Sequence, residues 1–135
     1  MKARTDTTSI TGSYGFNAPP EVVFGVLTDP DRAARWLPGP GQVVAASTER
    51  VRIADGQRSR DYGVEIAADE LRVLWRSLDS GGAHGVARVE DAPGGGSVVH
   101  AEVTAPDGDE KTVTDLLDEA MGGLRSEVSD NFNAG

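Results

Sequence analysis

The sequence lacks cysteine, has few aromatic residues and contains no long apolar segment. Without cysteine, the chain cannot form disulfides, use a thiol as a nucleophile or bind a metal through thiolates. A transmembrane helix needs roughly 18 or more consecutive apolar residues, and the sequence has no such run. The opening residues, MKARTDTTSITGS, contain no apolar signal core. We therefore expect a cytoplasmic protein.

The negative charge of the chain is concentrated towards its end. The formal net charge is −9 at pH 7, and residues 101–135 carry nine acidic and two basic side chains. An acidic surface repels phosphates and anionic lipid headgroups, so neither nucleic acid nor a membrane is an expected partner. The length of 135 residues suits one hydrophobic core. We expect a single domain over residues 1–135, present as a monomer or a weak homodimer.

The first part of the chain predicts a strand followed by two short helices. Residues 8–16 alternate between apolar and polar, which places Ile10 and Tyr14 on one face of a half-buried strand. Prolines after Asn17 suit the first turn of a helix. Asp29 precedes a proline, so it is expected to end this helix and to begin a second short one.

Six strand-like segments and one long helix follow. The segments are QVVAAS, ERVRIAD, SRDYGVEIA, LRVLWRSL, GVARVED and SVVHAEVTA, separated by residues that favour turns. From Asp109 onwards, apolar residues recur every three or four positions, which predicts an amphipathic helix. Its polar side includes Asp118 and Glu119, which we expect to be solvated. Gly122 and Gly123 each cost about 1 kcal/mol relative to alanine in a helix, so they predict a kink or a close backbone approach.

This order of elements resembles that of the START/birch-pollen-allergen superfamily (SRPBCC). The segment FNAPPEVVFGVLTDPDRAARWLP is similar to the opening of its small bacterial polyketide cyclase/dehydrase and lipid-transport members. These have a strand with an apolar end, an Ala-Pro-x-Glu-x-Val-Phe motif, then Asp-Pro and a tryptophan. The resemblance implies an α+β helix-grip fold, with two short helices after strand one. In this fold a curved antiparallel sheet of about six to seven strands surrounds the long C-terminal helix, and a cavity lies between them.

Charged residues on the strands predict which side chains face that cavity. The convex face of the sheet meets water, so Arg50 and Arg52 are expected outside and Val51 inside. In the same way, Arg76 outside places Trp75 inside. The resulting pocket is largely apolar with a few polar groups, as a small hydrophobic or aromatic ligand requires. The predicted lining consists of Tyr14, Trp36, Arg60, Tyr62, Val64, Val73, Trp75, Ser77, Ala101, Leu117 and Met121.

Few polar residues are candidates for chemistry in this pocket. A guanidinium facing a cavity needs a partner, so Arg60 is expected either to pair with a carboxylate such as Asp79 or to await an acidic or enolate-like ligand group. The strand registers place both histidines, His84 and His100, in solvent. A bulge near Gly85 would instead turn His84 inward. We therefore expect no metal and no cofactor, and we assign no catalytic residue.

Three functions agree with these features. The first is the binding, carriage or sensing of a small hydrophobic or aromatic molecule, and it is favoured because the predicted lining holds no deep acid or base. The second is a polyketide cyclase or dehydratase-like enzyme, in which Tyr and Arg side chains polarise a carbonyl. The third is a protein-interaction module. Fold alone does not decide among them.

Overall fold

Seven strands and three α-helices are present in the described part of the chain, which comprises residues 8–36, 42–78, 82–106 and 109–133 of a computed structural model. A single turn of 3-10 helix over Ala68–Glu70 precedes the fifth strand. The elements are β1 (Thr8–Phe16), α1 (Pro20–Leu27), α2 (Ala33–Trp36), β2 (Gln42–Ala46), β3 (Arg50–Asp55), β4 (Arg58–Ala67), β5 (Arg72–Ser77), β6 (His84–Asp91), β7 (Ser97–Ala105) and α3 (Glu110–Asn133).

The strands form one antiparallel sheet in the order β1-β7-β6-β5-β4-β3-β2. The two short helices carry the chain from β1 at one edge to β2 at the other. From β3 onwards each strand pairs with the one before it, and β7 also pairs with β1. The sheet curves around α3, so the predicted helix-grip fold is confirmed.

Helix α3 begins after Asp109, whose side chain caps it. The backbone N–H and the hydroxyl of Thr112 both donate to the Asp109 carboxylate at 3.0 Å. These bonds stabilise the charged form, which lowers the pKa of Asp109 below its usual value. In the middle of the helix, a Cβ on Gly123 would lie 3.0 Å from the backbone oxygen of Trp36. The sequence predicted either a kink or a close backbone approach at the glycine pair, and the structure shows a close approach of the Trp36 backbone at Gly123.

Polar contacts hold α3 in place along its second half. Glu127 accepts a hydrogen bond from Arg32 at 3.2 Å and lies 3.7 Å from the guanidinium of Arg35. Arg125 donates to the backbone oxygen of Gly15 at 3.2 Å, and its guanidinium lies 5.4 Å from the ring centre of Phe16. These contacts therefore fix the helix to Arg32 and Arg35, next to and within α2, and to the C-terminal end of β1.

The hydrophobic core lies between α3 and the part of the sheet nearest to it. Helix α3 packs mainly against β1, α1 and α2. Buried residues of the sheet contact the apolar stripe of the helix, as the three- and four-residue spacing predicts. The core comprises Ile10, Phe16, Ala18, Val23, Phe24, Val26, Val73, Ala87, Val89, Val99, Ala101, Val113, Leu117, Ala120, Met121, Leu124 and Val128.

The convex face carries the charged residues that set the predicted registers. Arg50 and Arg52 are exposed, and Arg52 forms an ion pair of 2.8 Å with Asp61 on the next strand. His84 is exposed opposite Arg76, so the predicted outward register of His84 is confirmed. His100 lies on the same face. No helix in the described ranges is long and apolar enough to cross a membrane.

Candidate functional site

The concave face of the sheet has one part that α3 covers and another that remains half-exposed. On β6 and β7, the concave residues Ala87, Val89, Val99 and Ala101 are buried. On β3, β4 and β5, most concave side chains are only half-buried although they are apolar. We call the second set the open half, and it consists of Val51, Ile53, Tyr62, Val64, Ile66 and Trp75. We call the concave face of β1, β6 and β7, with the helix residues on it, the packed half.

An aromatic pair lies at the centre of the open half. The rings of Tyr62 and Trp75 have centroids 6.4 Å apart and meet edge to face at 78°. Such pairs stabilise by about 0.5–1.5 kcal/mol beyond the area that they bury. The indole lies over Gly85, since a Cβ built on this glycine would clash with atoms of the ring. Gly85 therefore provides the flat surface on which Trp75 rests.

A second aromatic side chain lies where β1 meets the helix. The hydroxyl of Tyr14 donates a hydrogen bond of 2.9 Å to Asp118 on α3. Burial of the phenol, followed by this bond and the carboxylate charge, raises the pKa of Tyr14 to about 12. The ring folds back over Gly12, where a Cβ would meet the phenol oxygen. Asp118 is exposed, as expected for the polar side of the helix, and it is also bonded to a core-facing tyrosine.

Two arginines lie at the rim of the open half. Arg58 and Arg60 share the strand face of Tyr62, and both are exposed. Neither guanidinium has an ion pair or hydrogen bond to a side chain that the structure describes. Arg60 lies opposite Ile53, and Arg58 lies opposite Asp55. Asp79, the partner that sequence reasoning suggested, lies outside the described residues. Arg60 is therefore at the mouth of the site and not inside an enclosed pocket.

A hollow of about 630 Å³ lies beside the open half, at the end of β5 and the start of β6. Its lining includes Trp75, Val64 and Ser77, which are among the predicted residues, and also Arg76 and His84 from the outer face. It is half-open to solvent. A space of this size accommodates a small molecule.

The structure divides the predicted lining into two groups. The first, which we call the covered group, packs in or against the core and consists of Tyr14, Trp36, Val64, Val73, Ala101, Leu117 and Met121. Within it, the indole N–H of Trp36 is buried without a hydrogen-bond partner in the described residues. The other group consists of Arg60, Tyr62, Trp75 and Ser77. Leu117 and Met121 of α3 are themselves buried in the core. Val64 belongs to both sets, because it packs against the core and is also one of the half-buried residues of the open half.

Neither histidine lies on the concave face of the sheet, and only His84 lines the hollow. His100 lies on the outer face, where its Nδ1 is 2.8 Å from the Ser13 hydroxyl and its Nε2 is 3.0 Å from Glu90. Hydrogen bonds from His100 and Arg88 lower the pKa of Glu90. In the described ranges, no three His, Asp or Glu side chains form a group that could hold a metal ion.

Sequence reasoning missed the glycines that position the aromatic rings. Gly12 and Gly85 lie within strands, where glycine weakens the strand unless a side chain approaches closely. That signal was available at both positions. The hydrogen bond between Tyr14 and Asp118 could not be predicted from the sequence, because it joins residues that are far apart along the chain.

The sequence matches one family model over nearly its full length. The family is described as polyketide cyclase/dehydrase and lipid transport, and the match covers residues 7–132. The chain therefore belongs to this family, within the SRPBCC superfamily. No curated protein sequence is a significant match.

Solved structures of the same fold include enzymes and proteins without a stated activity. The Zhui aromatase/cyclase from a Streptomyces species is 11% identical with a TM-score of 0.70, over 95% of this chain and 97% of that chain. A norcoclaurine synthase mutant from Thalictrum flavum, in complex with a transition-state analogue, is 11% identical with a TM-score of 0.70, over 98% and 100%. A protein from Chromobacterium violaceum is 18% identical with a TM-score of 0.68, over 89% and 96%. At these identities the likeness shows the fold alone.

Proposed function

We propose that the open half binds a small hydrophobic or aromatic molecule, which the protein carries or senses. The observation that supports this proposal is the set of half-exposed apolar side chains on the concave face, centred on Tyr62 and Trp75. Apolar side chains that face inwards but remain partly in water gain free energy when a ligand covers them, at roughly 25 cal/mol per Å². The family membership agrees with a binding role.

The rim arginines suggest that the ligand carries an acidic or enolate-like group. Arg60 is exposed and lies on the same face as Tyr62, so a ligand stacked on the aromatic pair would bring an anionic substituent near it. A guanidinium binds a carboxylate through two parallel hydrogen bonds, which orients the bound group. In this proposal burial of the ring system supplies the affinity and Arg60 supplies the orientation.

A fluorescent-probe titration tests the location of the site. Anilinonaphthalene sulfonate is anionic and Nile red is neutral, and both gain fluorescence in apolar surroundings. We expect Trp75→Ala to weaken the binding of both probes by about tenfold or more, which corresponds to about 1.4 kcal/mol. Val98→Ala is the matched control, because Val98 is a half-buried apolar residue on the outer face of the sheet, opposite Glu90, and it does not line the hollow. If only the control lost binding, the site would lie on the outer face of the sheet, which would contradict the proposal.

The same probes test the role of Arg60. Arg60→Gln should weaken the binding of the anionic probe by several-fold and leave the binding of Nile red unchanged, because only the sulfonate interacts with the guanidinium. Arg50→Gln is the control, since Arg50 is an exposed arginine of the outer face. Equal effects of both substitutions would show that general charge, and not Arg60, attracts the anion.

A cyclase or dehydratase-like reaction is the second candidate, favoured by the bond between Tyr14 and Asp118. The phenol of Tyr14 has a pKa of about 12 and stays protonated at neutral pH. It would donate to a developing oxyanion by exchanging its hydrogen bond to Asp118 for one to the substrate. For an enzyme, Tyr14→Phe should lower the turnover of a short aromatic polyketide mimic and leave probe binding at Trp75 intact. Product analysis by mass spectrometry first shows whether the wild-type protein converts the mimic. If no product forms, the enzymatic candidate is contradicted for this substrate.

A further inference from the structure

The two edges of the sheet differ in how they are protected against pairing with other strands. The edge strand β2 has five residues, and its register shifts between Val43 and Ala45. Short length and a bulge both hinder further pairing. The edge strand β1 has nine residues, TSITGSYGF, and pairs with β7 in unbroken register from Thr8 to Phe16. It contains no charged residue, no proline and no bulge, so it has none of the usual protection.

The free side of β1 presents unpaired backbone groups over its middle. In an antiparallel strand, alternate residues direct both N–H and C=O to the same side. The C=O of Gly15 points away from β7, because it accepts the hydrogen bond from Arg125. Thr11 and Ser13 share this parity, so their backbone groups also point outwards. Arg125 covers only the end of the strand, and no other strand in the described part of the chain pairs with this side of residues 9–13.

We propose that β1 is a homodimer interface, in which two copies pair their β1 strands in antiparallel orientation about a two-fold axis at Thr11. This arrangement opposes Thr11 to its own copy and Ser9 to Ser13 of the partner subunit. All three side chains are exposed on the outer face. The two sheets then form one continuous sheet of fourteen strands, seven from each copy.

A second copy fits this edge because the strand is complementary to itself. The backbone groups of residues 9–13 can pair with those of a second copy in the same way at both ends of the contact. The hydroxyls of Ser9 and Ser13 already bond Thr104 and His100 on β7, so Thr11 supplies the hydroxyl that can bond its own copy across the pair. A two-fold contact closes on itself, so it produces a dimer and not a fibre. Each copy carries a net charge of −9, which opposes association. Added salt screens this repulsion and should strengthen the dimer.

Sedimentation velocity of the full chain tests the proposal. We expect a dimer that becomes populated with rising protein concentration, up to about 1 mM, and more so at higher salt. Thr11→Lys should weaken it by at least about tenfold, because two lysines then oppose each other at the axis. The monomer should keep its stability, since Thr11 lies opposite Glu102 on β7. The matched control is Val44→Lys on the β2 edge, where Val44 is 56% exposed, and it should leave the dimer unchanged.

The absence of cysteine allows a second test by cross-linking. Directly opposed residues in an antiparallel pair have Cα atoms about 5.5 Å apart, which is within the range for a disulfide of about 4.4–6.8 Å. Under mild oxidation, Thr11→Cys should form a covalent dimer, whereas Val44→Cys should not. A protein that stays monomeric at every concentration, or cross-links equally well through both positions, contradicts the proposal.

Discussion

The packed half and the open half of the concave face are made by the same sheet, yet they have different surroundings. Val99 on β7 and Val51 on β3 are both concave valines, and Val99 is fully buried while Val51 is half-buried. The difference arises from where α3 lies, since the helix packs mainly against β1 and the two short helices. One half is therefore packed by the helix, and the other leaves apolar surface partly exposed.

Specific contacts determine which half is covered. Gly123 lets α2 approach α3, and Arg125 bonds the helix to the edge strand at Gly15. Tyr14 and Asp118 join the first half of the helix to the same strand. The contacts of Arg125 and Tyr14 are made to β1, whereas α2 packs on the helix and also contacts β2. The helix is consequently held over β1 and β7.

The largest expected difference between the halves is in stability. Val99→Ala should lower the free energy of unfolding by about 2–3 kcal/mol, because two buried carbons are lost and a cavity remains. Val51→Ala should lower it by less than about 1 kcal/mol, since water already reaches that side chain. Urea denaturation of both variants measures the difference. Equal losses would mean that the open half is as well packed as the other.

The next largest effect is expected where the halves meet, at Gly85. A methyl group there displaces the Trp75 indole, so Gly85→Ala should cost about 1–3 kcal/mol as an overpacking substitution. It should also shift the fluorescence of Trp75, which is measured in a Trp36→Phe background. Gly15→Ala is the control, because nothing lies within 4 Å of a Cβ at Gly15. An unchanged emission spectrum in Gly85→Ala would refute the contact.

The adjacent glycines of α3 provide a smaller, internally matched comparison. A Cβ on Gly122 meets nothing within 4 Å, so Gly122→Ala should stabilise the protein by about 0.5–1 kcal/mol. A Cβ on Gly123 lies 3.0 Å from the backbone of Trp36, and Gly123→Ala should therefore be the less stable variant by about 1 kcal/mol or more. Thermal unfolding ranks the two. The opposite ranking would show that α2 is not held closely against the helix.

The smallest expected effect is a change in stability at alkaline pH. The unfolded pKa of tyrosine is about 10, and in the folded protein the pKa of Tyr14 is raised to about 12. The folded state thus holds this proton more tightly, and the stabilisation is present below pH 10 and lost as pH rises from 10 to 12. Tyr14→Phe should remove that part of the pH dependence in urea denaturation series. Tyr62→Phe is the control and should retain it.

Much of the fold could be predicted because it depends on local patterns. Alternation of polar and apolar residues predicted β1 over Thr8–Phe16, and Asp109 marked the start of α3. The charges at Arg50 and Arg52 predicted the inward direction of Val51. The division between packed and open halves could not be predicted, since it depends on contacts between residues about a hundred positions apart, such as Arg125 with Gly15.

Nitrogen-15 NMR with a bound anionic aromatic probe, such as anilinonaphthalene sulfonate, tests the central claim most directly. If the open half binds the probe, amide signals of residues 51–53, 62–64 and 75 should shift, together with the indole signal of Trp75. The indole signal of Trp36 and the amides of the packed half around Val99 should stay in place. Shifts confined to the outer-face residues Val98 and His100, or no shifts at saturating probe, would contradict a ligand site on the open half.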